Sequence, residues 1–99
     1  MVSYCLTDAA LADLDRLYEY GILAFGLTQA NKYYDGLVSY FQTIADSPLS
    51  YSQVDTIRAG YRRAPYYSNS VYYRLENNEV VIVRILGRQD PTRALREIM

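Results

Sequence analysis

The sequence contains no histidine and no tryptophan, a single cysteine, Cys5, and a single lysine, Lys32. Without histidine, the usual general base near neutral pH is missing, and any enzymatic reading is left with arginine and tyrosine chemistry. Cys5 alone cannot form an internal disulfide. A metal site would have to be all carboxylate or recruit Cys5, and no acidic spacing resembles a calcium loop, so neither metal nor cofactor is expected. The phosphate-cradling and nucleophile-elbow patterns G-x-x-x-x-G-K-[ST], G-x-G-x-x-G and G-x-S-x-G do not occur. Long apolar runs are missing as well. The longest aliphatic one, "VVIV" at 80–83, is ended by Arg84, far short of the roughly 20 residues of a membrane helix. The opening "MVSYCLTDAA" has neither the basic start nor the apolar core of a signal peptide. The expected location is the cytoplasm, with no membrane contact.

The 99 residues suffice for one core and are too few for two, so residues 1–99 are expected to form a single domain. With 51% apolar and 21% charged residues, the composition is that of a folded soluble protein. The net charge of −1 conceals a segregation. Residues 1–55 carry two cations against seven anions, whereas residues 56–99 carry eight, all arginine, against four. A basic surface built by the second half suits an acidic or phosphate-rich partner, and internal pairing between the halves is the alternative. Tyrosine is the most unusual enrichment, with 12 in the chain.

"VSYCL" reads as an opening strand. Thr7 stands as a helix N-cap with Asp8 after it. Leu11, Leu14, Leu17, Tyr18, Gly21, Ile22 and Phe25 recur at helical spacing and predict an amphipathic helix from residue 8 to about 24, ended by Gly26. Thr28 is expected to cap a second helix, whose stripe is Ala30, Tyr34, Leu37, Phe41 and Ile44, widened by Tyr33 and Tyr40. Pro48 stops it. The short connection makes residues 8–46 an antiparallel hairpin. The period then changes to two. Strands are expected near 56–63, 69–76 and 79–86, the last two joined through Asn77-Asn78. That register pairs Glu76 with Glu79, sets Arg74 opposite Val81 and Arg84 opposite Val71, and turns the two arginines to opposite faces. Asp90-Pro91 predicts the start of a short tail helix.

In "TIRAGYRR" a strand would place Arg58, Gly60 and Arg62 on one face, with the two guanidinium groups about 13 Å apart along it. A phosphate backbone, a carboxylate-bearing helix or ordered water fits between them. A plain solvated strand face is the competing reading. Tyr66, Tyr67, Tyr72 and Tyr73 fall in or beside strands, where they can stack on bases or bury against a partner, with packing the simpler role for most.

Four segments carry a family resemblance: "AALADLDRLYEYG", "FGLTQANKYYDGL", "IRAGYRR" and "SNSVYYRLENNEVVIVRILGRQD". In this order they resemble the ParE branch of the RelE/ParE toxin superfamily over nearly the whole chain. The resemblance implies an α+β fold: an N-terminal strand, an antiparallel helix hairpin packed on a small antiparallel sheet, and a short C-terminal helix. It implies a toxin of a type II toxin–antitoxin module that poisons DNA gyrase by binding, holding it after strand cleavage, and is neutralised by a ParD-like antitoxin. No reaction of its own and no sequence-specific nucleic-acid binding are expected. The arginines expected to grip gyrase are Arg58, Arg62, Arg84, Arg88 and Arg93. The antitoxin is expected on Tyr18, Tyr33, Tyr40, Arg58 and Arg62. Asn69 and Gly87 stand where ParE sequences commonly carry histidine. A RelE-like ribosome-dependent mRNA interferase working through Arg62, Arg84 and Tyr61, or a degenerate toxin that only binds its antitoxin, are the alternatives.

Overall fold

The structure, a computed structural model, describes residues 2–88 and 90–96, with nothing said of the Arg96 side chain. Strand β1 (Ser3–Leu6) leads into helix α1 (Asp8–Phe25), and helix α2 (Leu27–Asp46) returns antiparallel to it. A short 3-10 turn (Pro48–Ser50) precedes strands β2 (Ser52–Gln53), β3 (Tyr61–Tyr66), β4 (Asn69–Glu76) and β5 (Glu79–Leu86), and helix α3 (Pro91–Arg96) follows. The sheet order is β1-β5-β4-β3-β2. All pairings are antiparallel except β1 with β5, which is parallel.

Thr7 fastens the start of α1 to the sheet. Its hydroxyl accepts from the Ala10 amide at 3.1 Å and donates to the Val83 carbonyl at 3.0 Å, and its own amide reaches the Ile82 carbonyl at 3.0 Å. The cap therefore satisfies an orphan amide of the helix and sets the helix on β5. Gly26 alone separates the two helices, and its carbonyl already receives the Ala30 amide. Thr28 consequently lies inside the first turn of α2 and is not its cap.

The sheet is buried on both faces at its centre. Ala10, Leu14, Leu37, Phe41 and Ile44 of the helical hairpin pack on Val71, Tyr73, Val80, Ile82 and Ile85. On the other face Tyr61, Tyr72, Val81, Val83 and Leu86 meet Ala94 and Leu95 of α3. Two-sided burial explains why β5 reads as a nearly continuous apolar run rather than an alternating one. Asp90 opens α3 as expected, its carboxylate accepting the Thr92 amide at 3.0 Å.

Two expectations about the strands require correction. Residues 55–60 form a turn, and β3 begins only at Tyr61. The Val54 carbonyl receives the amides of both Ile57 and Arg58, and the Asp55 carboxylate accepts the Gly60 amide at 2.8 Å. Gly60 has φ +84, a conformation that disfavours side-chained residues and ends a strand at this point. In the last hairpin the Asn77-Asn78 loop is as expected, with φ of 51 and 62. Glu76 pairs with Glu79 and Arg74 with Val81, but a bulge between Tyr72 and Tyr73 sets Arg84 opposite Tyr72 instead of Val71.

Candidate functional site

The bulge lies beside the contact of Asp13 with β5. This carboxylate is 1% exposed and sits on the apolar face of α1, one turn from Ala10 and Leu17. It accepts Arg84 Nε at 2.6 Å, Arg84 Nη2 at 3.0 Å, the Ile85 amide at 2.9 Å and Arg16 Nη1 at 2.9 Å. A carboxylate so far from water needs this set of donors, and the forked Arg84 contact supplies the balancing charge. β5 yields its regular register at the point where α1 holds it.

The other strand arginines are also bound to their own protein. Arg58 donates to the Leu95 carbonyl at 3.3 Å and lies over the Tyr61 ring at 5.4 Å, joining the 55–60 turn to α3. Arg62 donates to the Tyr51 carbonyl at 2.7 Å and the Leu49 carbonyl at 3.5 Å. Arg58, Gly60 and Arg62 therefore do not form one strand face. Arg74 donates to Glu76 at 3.0 Å and, at 3.5 Å, to the hydroxyl of Tyr61, a buried residue of the α3 side. Arg84, in contrast, reaches α1. The two arginines do face opposite sides. Arg88 and Arg93 are exposed.

An open groove of about 1320 Å³ lies between the helical hairpin and the end of the sheet where the β3–β4 loop and Gly87 meet. Its apolar lining comes from Leu14, Leu17, Phe25, Ala30 and Leu37. Half of the chain's tyrosines line it: Tyr18, Tyr20, Tyr33, Tyr34, Tyr66 and Tyr67. Its charged lining residues are Arg16, Lys32 and Arg88, with no carboxylate among the residues that line it. Tyr18 and Tyr33, expected at the antitoxin surface, are thus in the groove. Tyr40 is not. It packs on Tyr66 and Tyr51 at ring distances of 5.0 and 6.2 Å, behind the wall that Tyr66 presents.

The aromatic wall is positioned by contacts that limit its movement. Gly36 of α2 leaves the notch in which Tyr66 sits, for a β-carbon there would lie 2.3 Å from the Tyr66 hydroxyl oxygen. Tyr33 stacks edge-on against Tyr66 at 5.3 Å and accepts the Asn69 side-chain amide at 2.7 Å. Burial pushes the Tyr33 hydroxyl above its ordinary pKa, and the Asn69 hydrogen bond acts against that rise. Burial likewise raises Tyr66. These phenols are neutral hydrogen-bonding groups at neutral pH. Asn69 and Gly87, which the resemblance set against expected histidines, are neighbours: a β-carbon on residue 87 would lie 2.8 Å from Asn69 Oδ1.

Sequence reasoning overlooked Asp13, Arg16, Lys32 and Tyr34 as site or frame residues, while Tyr66 and Tyr67 were weighed for stacking or for burial against a partner. A signal existed for Asp13, a charge placed within the apolar stripe of Ala10, Leu14 and Leu17. Lys32 and Arg16 carried none, because their relation depends on how the two helices pack.

The helical hairpin over a five-stranded sheet, with the first strand parallel to the last, matches solved toxin–antitoxin proteins in fold. The solved chromosomal ParDE toxin–antitoxin system of P. aeruginosa aligns with a TM-score of 0.76 at 23% identity, over 90% of this chain and 98% of that one. The RelBE2 toxin–antitoxin complex of Mycobacterium tuberculosis aligns with a TM-score of 0.63 at 19% identity, over 88% and 98%. Residues 4–91 match the model of the ParE toxin of the type II toxin–antitoxin system parDE. Toxin ParE1 of Caulobacter vibrioides is 35% identical over 94 residues, covering 95% of this chain and 97% of the relative. Toxin ParE1 of M. tuberculosis is 31% identical over 87 residues, covering 87% and 89%. The chain belongs to the ParE toxin family.

Proposed function

We propose that this protein poisons DNA gyrase by binding, without a reaction of its own, and that a ParD-like antitoxin neutralises it by laying an acidic amphipathic helix in the groove. The observation that carries the reading is the division of labour among the cations. Arg58, Arg62 and Arg84 are spent on carbonyls and on Asp13, and Arg16 shares Asp13, while Lys32 and Arg88 line a tyrosine-walled groove that has no carboxylate in its lining. A helix with one apolar and one acidic face matches such a surface in shape and charge. The volume is on the order of that of two to three turns of a helix about 11 Å across. In this reading the exposed Arg88 and Arg93 make the contact with gyrase, and Arg58, Arg62 and Arg84 hold the frame that presents them.

The interferase alternative asks Arg62, Arg84 and Tyr61 to act together. Each has a different partner: Arg62 the carbonyl of Tyr51, Arg84 the carboxylate of Asp13, and Tyr61 the apolar cluster beneath α3. That separation favours binding over cleavage. The deciding experiment is gyrase supercoiling and cleavage in vitro with and without the protein, beside a translation assay for cut mRNA. Trapped DNA breaks with intact mRNA are the expected result. Tyr61→Phe should leave inhibition unchanged, and an interferase acting through that hydroxyl would lose its activity in the same variant.

A further inference from the structure

The sheet has two two-residue hairpin loops, and they treat backbone strain differently. Between β4 and β5 stand Asn77 and Asn78, the side-chained residue type that best tolerates positive φ. Between β3 and β4, closed by the pair Tyr66 and Asn69, stand Tyr67 and Ser68. Tyr67 has φ +53, while Ser68 does not have positive φ. Positive φ at the first loop position alone is the pattern that selects glycine. A bulky aromatic residue in the left-handed region is sterically disfavoured, because its β-carbon crowds the neighbouring carbonyl oxygen.

The strain gains no buried ring. Tyr67 is 83% exposed, meeting Tyr66 edge-on at 4.9 Å and Tyr33 at 6.0 Å. Those two rings belong to the groove wall, and Tyr67 itself lines the groove beside Asn69. A residue that breaks the turn rule and stays in solvent contributes little to the stability of the isolated domain. Strained positions of this kind cluster at binding sites, where the partner supplies the missing contact.

We propose that Tyr67 is the anchor that closes over the acidic helix of the antitoxin, so that part of the toxin's own stability is exchanged for partner affinity. The proposal rests on the reading that the groove takes that helix. The cationic lining without carboxylates selects this occupant. Tyrosine is suited to the part, having a large apolar body, few rotatable bonds and a hydroxyl that can stay at the wet rim of an interface.

The test uses four purified variants of the full chain and a ParD-type antitoxin that binds the parent, reading thermal midpoint and antitoxin dissociation constant for each. Tyr67→Gly relieves the strain and removes the ring: its midpoint should rise by about 4 °C while the dissociation constant rises about 10-fold or more. Tyr67→Asn should shift both in the same directions. Tyr67→Ala keeps the strain and should lose affinity without gaining stability. Tyr67→Phe should bind within about threefold of the parent. A Tyr67→Gly protein that binds within about twofold of the parent overturns the assignment of Tyr67 alone. A lower midpoint for Tyr67→Gly overturns the exchange of stability for affinity. A parent that binds no antitoxin overturns the reading of the groove and the proposal with it.

Discussion

Arg84 and Arg88 leave the same end of β5 and meet opposite surroundings. Arg84 is held inward by Asp13, a carboxylate removed from water, beside the bulge in the β4–β5 pairing. Arg88 stands exposed at the rim of a groove without carboxylates in its lining. The same side-chain chemistry is a rivet in one place and, in the proposed function, a recognition group in the other. Burial and the identity of the nearest acceptor make the difference, which is why a basic composition in the second half does not by itself locate a functional surface.

The comparison breaks most sharply at Asp13. Asp13→Ala leaves Arg84 without its acceptor and the Ile85 amide without a partner, and should cost about 3–5 kcal/mol, read as a lower midpoint in urea with toxin activity lost through unfolding. Arg62→Ala removes the donors that hold the carbonyls of Tyr51 and Leu49 and should cost about 1–2 kcal/mol, with gyrase inhibition retained by the folded fraction. A third effect is silent at neutral pH. Burial raises the hydroxyls of Tyr73 and Tyr40 to about 12, and Tyr73 donates to the Pro48 carbonyl. The folded state therefore prefers both phenols neutral. Their contribution is fully present below the ordinary tyrosine pKa near 10 and is lost as the pH rises towards 12. Tyr73→Phe should flatten that alkaline limb in a stability-versus-pH series. The smallest change in stability belongs to Arg88→Glu with Arg93→Glu, within about 1 kcal/mol by thermal melting. That double variant should nevertheless abolish gyrase inhibition, and inhibition by the parent should weaken as salt is added. If the double variant inhibited normally, the outward arginines would not be the recognition groups.

Much of the fold was legible because it rests on local signals. Thr7 before Asp8, the stripes of the hairpin, Asn77-Asn78 and Asp90-Pro91 each act within a few residues. The misplaced third strand had a local cause too: Asp55 and Gly60 close a turn together, but the alternation of Ile57, Ala59 and Tyr61 imitates a strand across it. The bulge at Arg84 had no local signal, and the carboxylate that Arg84 meets lies 71 positions earlier. For the site, tyrosine enrichment was visible and its concentration along one groove was not. Tyr67 was visible as a tyrosine in or beside a strand, but its place in the loop was not, because it contradicts the turn chemistry by which loops are recognised.

The parallel pairing of the first strand with the last has a consequence for the moment at which the toxin comes into being. Ser3 waits for Glu79, 76 residues further along the chain. A ribosome adding about 5–20 residues per second needs roughly 4–15 s to make that stretch. Throughout that interval β1 has no strand beside it, the hydroxyl and amide of Thr7 lack their carbonyls, and Asp13 has Arg16 but not Arg84 or the Ile85 amide. The groove is incomplete as well, because Gly87 and Arg88 complete its rim. Until the segment that completes the sheet has emerged the chain lacks both the closed frame and the rim of the groove, and closure of so distant a contact then assembles the two in one event.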